Sequence, residues 1–217
     1  MESVGMVETA ETLATGAGLL ALLALVEILG RRRLPHDITR RLAHMGSGAE
    51  AATFPLYLHL RDALLLAVGF GLLLAWAWRE GKLRSIHDVA RPTVGATAFP
   101  LGLALAALIS WSHPFAFAFA ALVLALSDPA AAMIGGRRAM RRWSWPGGKT
   151  PAGTGAFMLV SFVLAVDFGL ATSDPRPLAA VLVSGVLAAI EAPLLWGLDN
   201  LVVPVAAAVL GSTLLGL

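Results

Sequence analysis

The sequence has no cysteine and few charged residues, and each shortage excludes a class of protein. Without cysteine, the 217-residue chain can form no disulfide framework, no thiolate zinc site and no cysteine nucleophile. Charged residues make up 14% of the chain and hydrophobic residues 58%, whereas soluble domains average about 25% and 45–50%. Disordered chains combine low hydrophobicity with high net charge, and the formal charge here is only +2. The composition predicts an integral membrane protein that forms a single domain over residues 1–217.

Apolar runs of span length recur along the whole chain. A membrane-spanning helix needs about 20 mostly apolar residues. Eight runs qualify: residues 13–29, 43–59, 63–78, 93–110, 114–134, 152–172, 177–195 and 200–217. Ionisable residues or proline interrupt the second, fourth and seventh runs, so seven spans are the alternative. We therefore predict an all-α bundle of seven or eight transmembrane helices.

The basic residues are distributed very unevenly. Fourteen of the 16 lysines and arginines lie in three segments, residues 30–41, 79–91 and 135–149. The segments that alternate with these contain only Arg61 and Arg176. The positive-inside rule places the three basic loops in the cytoplasm. With eight spans, both termini lie outside, including a short N-terminal segment of residues 1–12, and we expect the plasma membrane as the location.

Ionisable residues inside spans cost about 2.5–3.5 kcal/mol each at mid-bilayer, so they mark either a function or a buried pair. They are Glu27, His44, Glu50, Asp128, Asp167, Glu191 and, at the end of a span, Asp199. Structural alternatives are pairing of Glu27 with the arginines that follow it, an outer-interface position for Asp167, and close packing at the small residues after His44. Asp128 is the strongest functional candidate, because it interrupts a long apolar run directly before Pro129.

The loop that follows Asp128 suits an anionic ligand. Over residues 135–154 it combines glycines, hydroxyls and five cationic side chains, a composition suited to a phosphate chain. Residues 148–150 fit the end of a Walker A motif, but the first glycine of that motif would fall on Trp143. Contact with anionic lipid headgroups is the alternative for such a loop.

A second acidic segment lies, like Asp128, toward the cytoplasmic ends of the predicted spans, so we place the candidate active site at the cytoplasmic face. Glu191 and Asp199 flank a proline break at Pro193. Mg²⁺ prefers a few carboxylates together with substrate phosphates, so this segment is suited to hold that ion. A polar turn between two spans is the alternative interpretation.

Five segments, taken together, resemble a known family. They are Arg40-Arg41-Leu-Ala-His44-Met-Gly-Ser-Gly48, His87-Asp88-Val-Ala-Arg91-Pro-Thr-Val-Gly95…Phe99-Pro100-Leu-Gly102, Ser127-Asp128…Gly135 with Arg137 and Arg138, Lys149-Thr150-Pro-Ala152-Gly153-Thr154, and Glu191-Ala-Pro193…Asp199-Asn200…Pro204. In this order they resemble the membrane-embedded, CTP-dependent lipid-alcohol kinases, which include dolichol, phytol and polyprenol kinases. Ala96 and Ala152 depart from the pattern, since some members carry glutamate at these positions.

The resemblance implies transfer of the γ-phosphoryl group of CTP to the hydroxyl of an isoprenoid alcohol, giving the monophosphate and CDP. Its implied partners are CTP, the membrane-resident alcohol and the bilayer, without nucleic acid. Asp128 accepts the alcohol proton on this hypothesis, with His44 as the second candidate for the base or a phosphate contact. The triphosphate is held by Lys149, Thr150, Gly153, Thr154, Arg137 and Arg138, and Asn200 contacts phosphate or orients a carboxylate. Mg²⁺ is bound, directly or through water, by Asp128, Glu191 and Asp199, or by the latter two if Asp128 serves as the base instead.

Three alternatives remain at this stage. A CTP-using cytidylyltransferase would release pyrophosphate rather than CDP, and a diacylglycerol kinase would share the motifs. A small proton-coupled transporter would spread acidic groups across the membrane depth. The sequence leaves open the identity of the alcohol, the oligomeric state and which carboxylate is base or metal ligand, and the preference for CTP over ATP follows from the resemblance alone.

Overall fold

The computed structural model describes residues 2–87, 93–137 and 149–217, with side chains from residue 9 onward. All regular structure within these ranges is helical, as the apolar runs predict. The helices are α1 (Glu2–Arg31), α2 (His36–Ala52), α3 (Leu60–Arg79), α4 (Arg84–His87), α5 (Gly95–Ser110), α6 (Pro114–Leu122), α7 (Asp128–Gly135), α8 (Pro151–Ala171), α9 (Pro177–Glu191) and α10 (Asp199–Leu210). A 3₁₀ turn (Phe54–Leu56) follows α2, and π-helical turns at Val123–Ser127 and Gly211–Leu215 extend α6 and α10.

The helices divide by length into two groups. Four stretches are long and apolar enough to cross a membrane: Thr9–Arg31, Leu60–Arg79, Pro114–Gly135 and Pro151–Ala171. Three shorter apolar helices are Gly95–Ser110, Pro177–Glu191 and Asp199–Leu215. These seven match seven of the eight predicted runs. The run predicted at 43–59 differs, because α2 begins earlier, at His36, includes Arg40 and Arg41, and ends at Ala52. The all-α fold is confirmed in the described residues, four of whose helices are long and apolar enough to cross a membrane, and both the number of spans and the cytoplasmic position of the site stay predictions.

The stretch Pro114–Gly135, formed by α6, a π turn and α7, is the centre of the bundle. In the most apolar 18-residue window of this stretch, 56% is buried inside the protein, compared with 17–22% in the corresponding windows of the other three long helices. Phe117, Phe119 and Leu124 from this stretch are almost fully buried. Helices α2, α8 and α10 all pack against it. Asp128 therefore lies in the stretch against which α2, α8 and α10 pack.

Helices α5 and α10 approach each other more closely than a side chain would permit. A Cβ added at Gly102 would lie 2.1 Å from the carbonyl oxygen of Asn200 and 3.0 Å from Cα of Leu201. The preceding turn is equally tight, since a Cβ at Gly197 would lie 2.5 Å from the backbone of Gly95. Gly197 also has a φ of +84°, a conformation that glycine adopts without steric cost. These glycines set the position of the first turn of α10, which carries Asp199 and Asn200.

Helices α7 and α8 pack through a second pair of glycines. The Cα of Gly153 would lie 3.3 Å from a Cβ added at Gly135, and Thr150 Oγ1 would lie 2.7 Å from it. Thr150 is the N-cap of α8, and its Oγ1 accepts a hydrogen bond of 3.1 Å from the backbone N–H of Gly153. This cap starts α8 directly after Lys149, so the lysine is held at the end of a rigid helix.

Replacement of Gly102 by alanine is expected to destabilise the protein, because the added methyl would collide with the backbone of α10. Overpacking of this kind costs typically about 1–3 kcal/mol. The matched control is Gly69→Ala on α3, where an added Cβ meets no described atom within 4 Å. The thermal unfolding midpoint in detergent should fall for Gly102→Ala and stay constant or rise for Gly69→Ala. Equal midpoints for both variants would contradict the tight α5–α10 contact.

Candidate active site

Three carboxylates from distant parts of the chain converge at one place in the bundle. Asp128 begins α7, Glu191 ends α9 and Asp199 begins α10. One oxygen from each lies within 4.8 Å of the other two. Glu191 is buried, whereas Asp128 and Asp199 are partly accessible. The structure thus brings together the three residues that the sequence analysis predicts as metal ligands.

Lys149 makes direct contacts with two of these carboxylates. Its Nζ donates to Glu191 Oε1 at 2.5 Å, to the backbone oxygen of Glu191 at 2.6 Å and to Asp199 Oδ2 at 2.9 Å. Burial disfavours the ammonium form, but attraction to Asp199 and Glu191 outweighs it and raises the pKa of Lys149 above its ordinary value. Lys149 is therefore an ammonium group at neutral pH, at the edge of the acidic cluster.

The acidic cluster retains unused acceptor atoms. Glu191 Oε2 and Asn200 Oδ1 are both buried and have no hydrogen-bond partner among the described residues. Three carboxylates with oxygens within 4.8 Å of one another suit a single divalent cation. Oxygen ligands in this number suit Mg²⁺. The residues present therefore fit the predicted magnesium ion.

Asn200 is oriented by α5. Its Nδ2 donates a hydrogen bond of 2.9 Å to the backbone oxygen of Gly95, so the amide presents its oxygen, not its nitrogen, as the unpaired atom. An oxygen acceptor binds a cation or a hydroxyl donor and is repelled by a phosphate oxygen. Two roles are predicted for Asn200, to orient a carboxylate or to contact phosphate. The position of its oxygen favours the first role, at the carboxylate and metal site.

His44 is held in place by a carbonyl group that Pro129 leaves unpaired. In the π turn Val123–Ser127, the N–H of residue i donates to the carbonyl oxygen of residue i−5. The N–H of residue 129 would therefore pair with the carbonyl of Leu124, but residue 129 is proline and has no N–H. His44 Nε2 lies 2.8 Å from that carbonyl oxygen and 3.9 Å from Asp128 Oδ2. A bond to a carbonyl requires that Nε2 carries a hydrogen. The ring nitrogen nearest Asp128 is therefore a donor, and a role of His44 as base, which remains a prediction, would need Nδ1.

Arg40 is a site residue that the sequence analysis missed as a ligand-binding candidate. It lies one turn before His44 on α2, and electrostatic attraction links it to Asp128 and Asp199. A Cβ added at Gly95 would lie 2.7 Å from the guanidinium of Arg40. The four-residue spacing between Arg40 and His44 could have identified Arg40 as a site residue, because residues at i and i+4 share one helix face.

The predicted triphosphate residues are placed unequally. Thr150 and Gly153 form the N-cap of α8, and Thr154 Oγ1 is buried and has no partner in the part of the chain that the structure describes. Arg137 is exposed just beyond α7, and Arg138 lies outside the described residues. Their role in phosphate binding stays a prediction.

The other ionisable residues of the spans lie apart from this cluster. Glu27 accepts hydrogen bonds from Ser85 and from Arg31 at 3.3 Å, so the predicted pairing with a following arginine is confirmed. Asp167 is exposed on α8. Glu50 lies beside Gly18 of α1, where its Oε1 would be 3.0 Å from an added Cβ.

Comparison with known proteins agrees with the resemblance seen in the sequence. No family model matches the chain, and no solved structure matches it. A phytol kinase from Synechocystis sp. is 30% identical to it over 210 residues, which cover 91% of this chain and 87% of that protein. At this identity over nearly the full length of both proteins, the chain belongs to the family of lipid-alcohol kinases that includes phytol kinase.

Proposed function

We propose that the protein is a Mg²⁺-dependent kinase that transfers the γ-phosphoryl group of CTP to the hydroxyl of a prenyl alcohol. The observation that carries this proposal is the convergence of Asp128, Glu191 and Asp199 beside Lys149. Phosphoryl transfer depends mainly on positioning and on neutralisation of phosphate charge. A carboxylate cluster with an adjacent ammonium group is suited to both tasks. The cytidylyltransferase alternative shares these needs and is distinguished by its product, pyrophosphate.

Each residue of the site has a role that follows from its position. Asp128, Glu191 and Asp199 would hold the ion, and a bound Mg²⁺ supplies charge neutralisation at the phosphate oxygens. Lys149 and Arg40 face the same region and attract the triphosphate. Asp128 is the most accessible carboxylate of the three, with 28% of its side chain exposed, and it accepts the proton of the attacking hydroxyl. His44 donates toward Leu124 and fixes the π turn from which Asp128 projects.

The direct test is a transfer assay with purified protein in detergent. Nucleotides labelled at the γ-phosphate are offered with phytol, geranylgeraniol, farnesol, undecaprenol, dolichol or diacylglycerol. We expect labelled prenyl monophosphate and CDP with CTP and Mg²⁺, and no product in EDTA. Release of pyrophosphate, labelling of diacylglycerol alone, or ATP as the preferred donor would each contradict a stated part of the proposal.

Substitution of Asp128 by asparagine should reduce kcat by about 10²–10⁴-fold, because general-base catalysis contributes that much to proton transfer. The matched control is Asp167→Asn, which changes an exposed aspartate of α8 outside the site. Initial rates at saturating CTP and alcohol, with membrane insertion checked for both variants, are the measurement. Comparable turnover in the two variants would remove Asp128 from the mechanism.

Substitution of Lys149 by methionine keeps the length of the side chain and removes its charge. Hydrogen bonds to charged groups are worth about 1.5–3 kcal/mol, so in the folded protein KM for CTP should rise about 10–100-fold while KM for the alcohol changes little. The thermal unfolding midpoint should also fall, because Glu191 loses its buried counter-ion. Lys82 is the only other lysine; it lies over the ring of Trp76, 4.2 Å from its centroid, and Lys82→Met is the control. A rise confined to the KM of the alcohol would show that the triphosphate binds elsewhere.

A further inference from the structure

An exposed tryptophan lies in the turn between two carboxylates of the site. Trp196 follows Glu191 by five residues and precedes Asp199 by three, so the Cα atoms of Trp196 and Asp199 are at most about 11 Å apart. Trp196 is 69% exposed. A single exposed aromatic residue is common on protein surfaces, so its exposure alone assigns it no role. Its backbone conformation, in contrast, is unusual.

The backbone of Trp196 has a conformation that tryptophan rarely adopts. Its φ is +57° and that of Gly197 is +84°, and the N–H of Leu198 donates to the carbonyl oxygen of Leu195 at 3.1 Å. Two central residues with positive φ are typical of a type I′ turn, in which glycine, asparagine and aspartate predominate. For a bulky residue a positive φ is an outlier that costs stability. The turn would therefore be more stable with asparagine or glycine at position 196.

Contacts with the start of α5 hold the turn in this conformation. The carbonyl oxygen of Trp196 accepts hydrogen bonds of 2.9 Å from the backbone N–H of Val94 and 3.1 Å from Thr93 Oγ1. A Cβ added at Gly197 would lie 2.5 Å from the backbone of Gly95. Strained residues persist where the surrounding structure fixes them in this way, and they cluster at functional sites. The turn thus holds an aromatic ring rigidly at the surface beside the acidic site.

The other exposed tryptophans among the described residues lie in regular helix. Trp76 and Trp78 are 49% and 58% exposed, in the last turn of α3, which ends at Arg79. Aromatic and basic residues at the end of an apolar helix are typical of a membrane interface. An interfacial tryptophan needs no strained backbone. The strain at Trp196 therefore requires another reason, and the adjacent acidic site provides one.

We propose that Trp196 stacks on the base of the nucleotide whose triphosphate binds beside Lys149 and Asp199. The inference rests on the proposed function, which supplies the nucleotide. In a nucleotide the base and the triphosphate extend from opposite ends of the ribose, so a residue that binds the base has to lie near the metal site but outside it. Trp196 has this position. Aromatic rings stack on any base, because every base has a π face, so Trp196 supplies affinity for the base and not the preference for CTP over ATP.

The test removes the ring and keeps the turn. Asparagine adopts a positive φ more readily than tryptophan does, so Trp196→Asn should unfold at the same temperature as the wild type or at a higher one. Loss of a base–aromatic stack weakens binding about 5–150-fold. We therefore expect KM for CTP to rise at least fivefold in Trp196→Asn and much less in Trp196→Phe, while KM for the alcohol stays the same. Trp78→Asn, which removes an exposed tryptophan of α3, is the control and should leave KM for CTP unchanged. A rise confined to the KM of the alcohol in Trp196→Asn would identify a membrane anchor and overturn the inference.

A binding measurement without catalysis separates this inference from the proposed function. Isothermal titration calorimetry with Mg²⁺ and without alcohol gives the dissociation constants of CTP and of inorganic tripolyphosphate, which has no base. We expect the wild type to bind CTP more tightly than tripolyphosphate, and Trp196→Asn to reduce this difference at least fivefold. An unchanged difference would overturn the role of Trp196 and leave the triphosphate site intact. Binding of neither ligand by the wild type would overturn the proposed function together with the inference.

Discussion

The contact of Lys149 with Glu191 and Asp199 is the interaction on which the rest of the site depends. Removing a charged group from water costs several kcal/mol, and only well-placed opposite charges and hydrogen bonds compensate for it. Glu191 is 4% exposed and ends an apolar helix, so its carboxylate would be unstable there without a cation. Lys149 provides that cation and joins the start of α8, the end of α9 and the start of α10. The same contact thus neutralises the buried charge and holds the three helix ends together.

Glycines fix the positions of the charged groups, because they let helix backbones pack closely at the points where these groups are attached. Gly102 brings α5 against the carbonyl oxygen of Asn200, and Gly135 and Gly153 bring α7 against α8. Such contacts are common between membrane helices, where small residues permit close approach. Asn200 then bonds to Gly95, which ties the first turn of α10 to α5. The acidic residues are held by packed helices and not by loops alone.

Sequence alone predicted the helical membrane fold and the three carboxylates, because both leave a local signal: long apolar runs in the first case and costly charges within them in the second. It failed where the signal is not local. Arg40 was missed because its one local signal, the four-residue spacing to His44, shows a shared helix face but not that α2 brings it near Asp128 and Asp199. The start of α2 at His36 was missed because the helix is polar there. The pairing of His44 with Leu124 spans 80 residues and depends on a π turn that no composition reveals.

The arrangement also bears on how such an enzyme would avoid hydrolysing its own nucleotide. Asp128 Oδ2 lies 3.9 Å from His44, whose ring packs on Phe99, and on its other side are the two carboxylates that bond to Lys149. The polar site therefore borders an apolar surface directly. An acceptor alcohol whose hydrocarbon part packed against Phe99 would exclude water from the position of the attacking oxygen. That contact would then select the alcohol over water as the acceptor, so that one apolar surface would serve both substrate binding and protection of the phosphoryl donor.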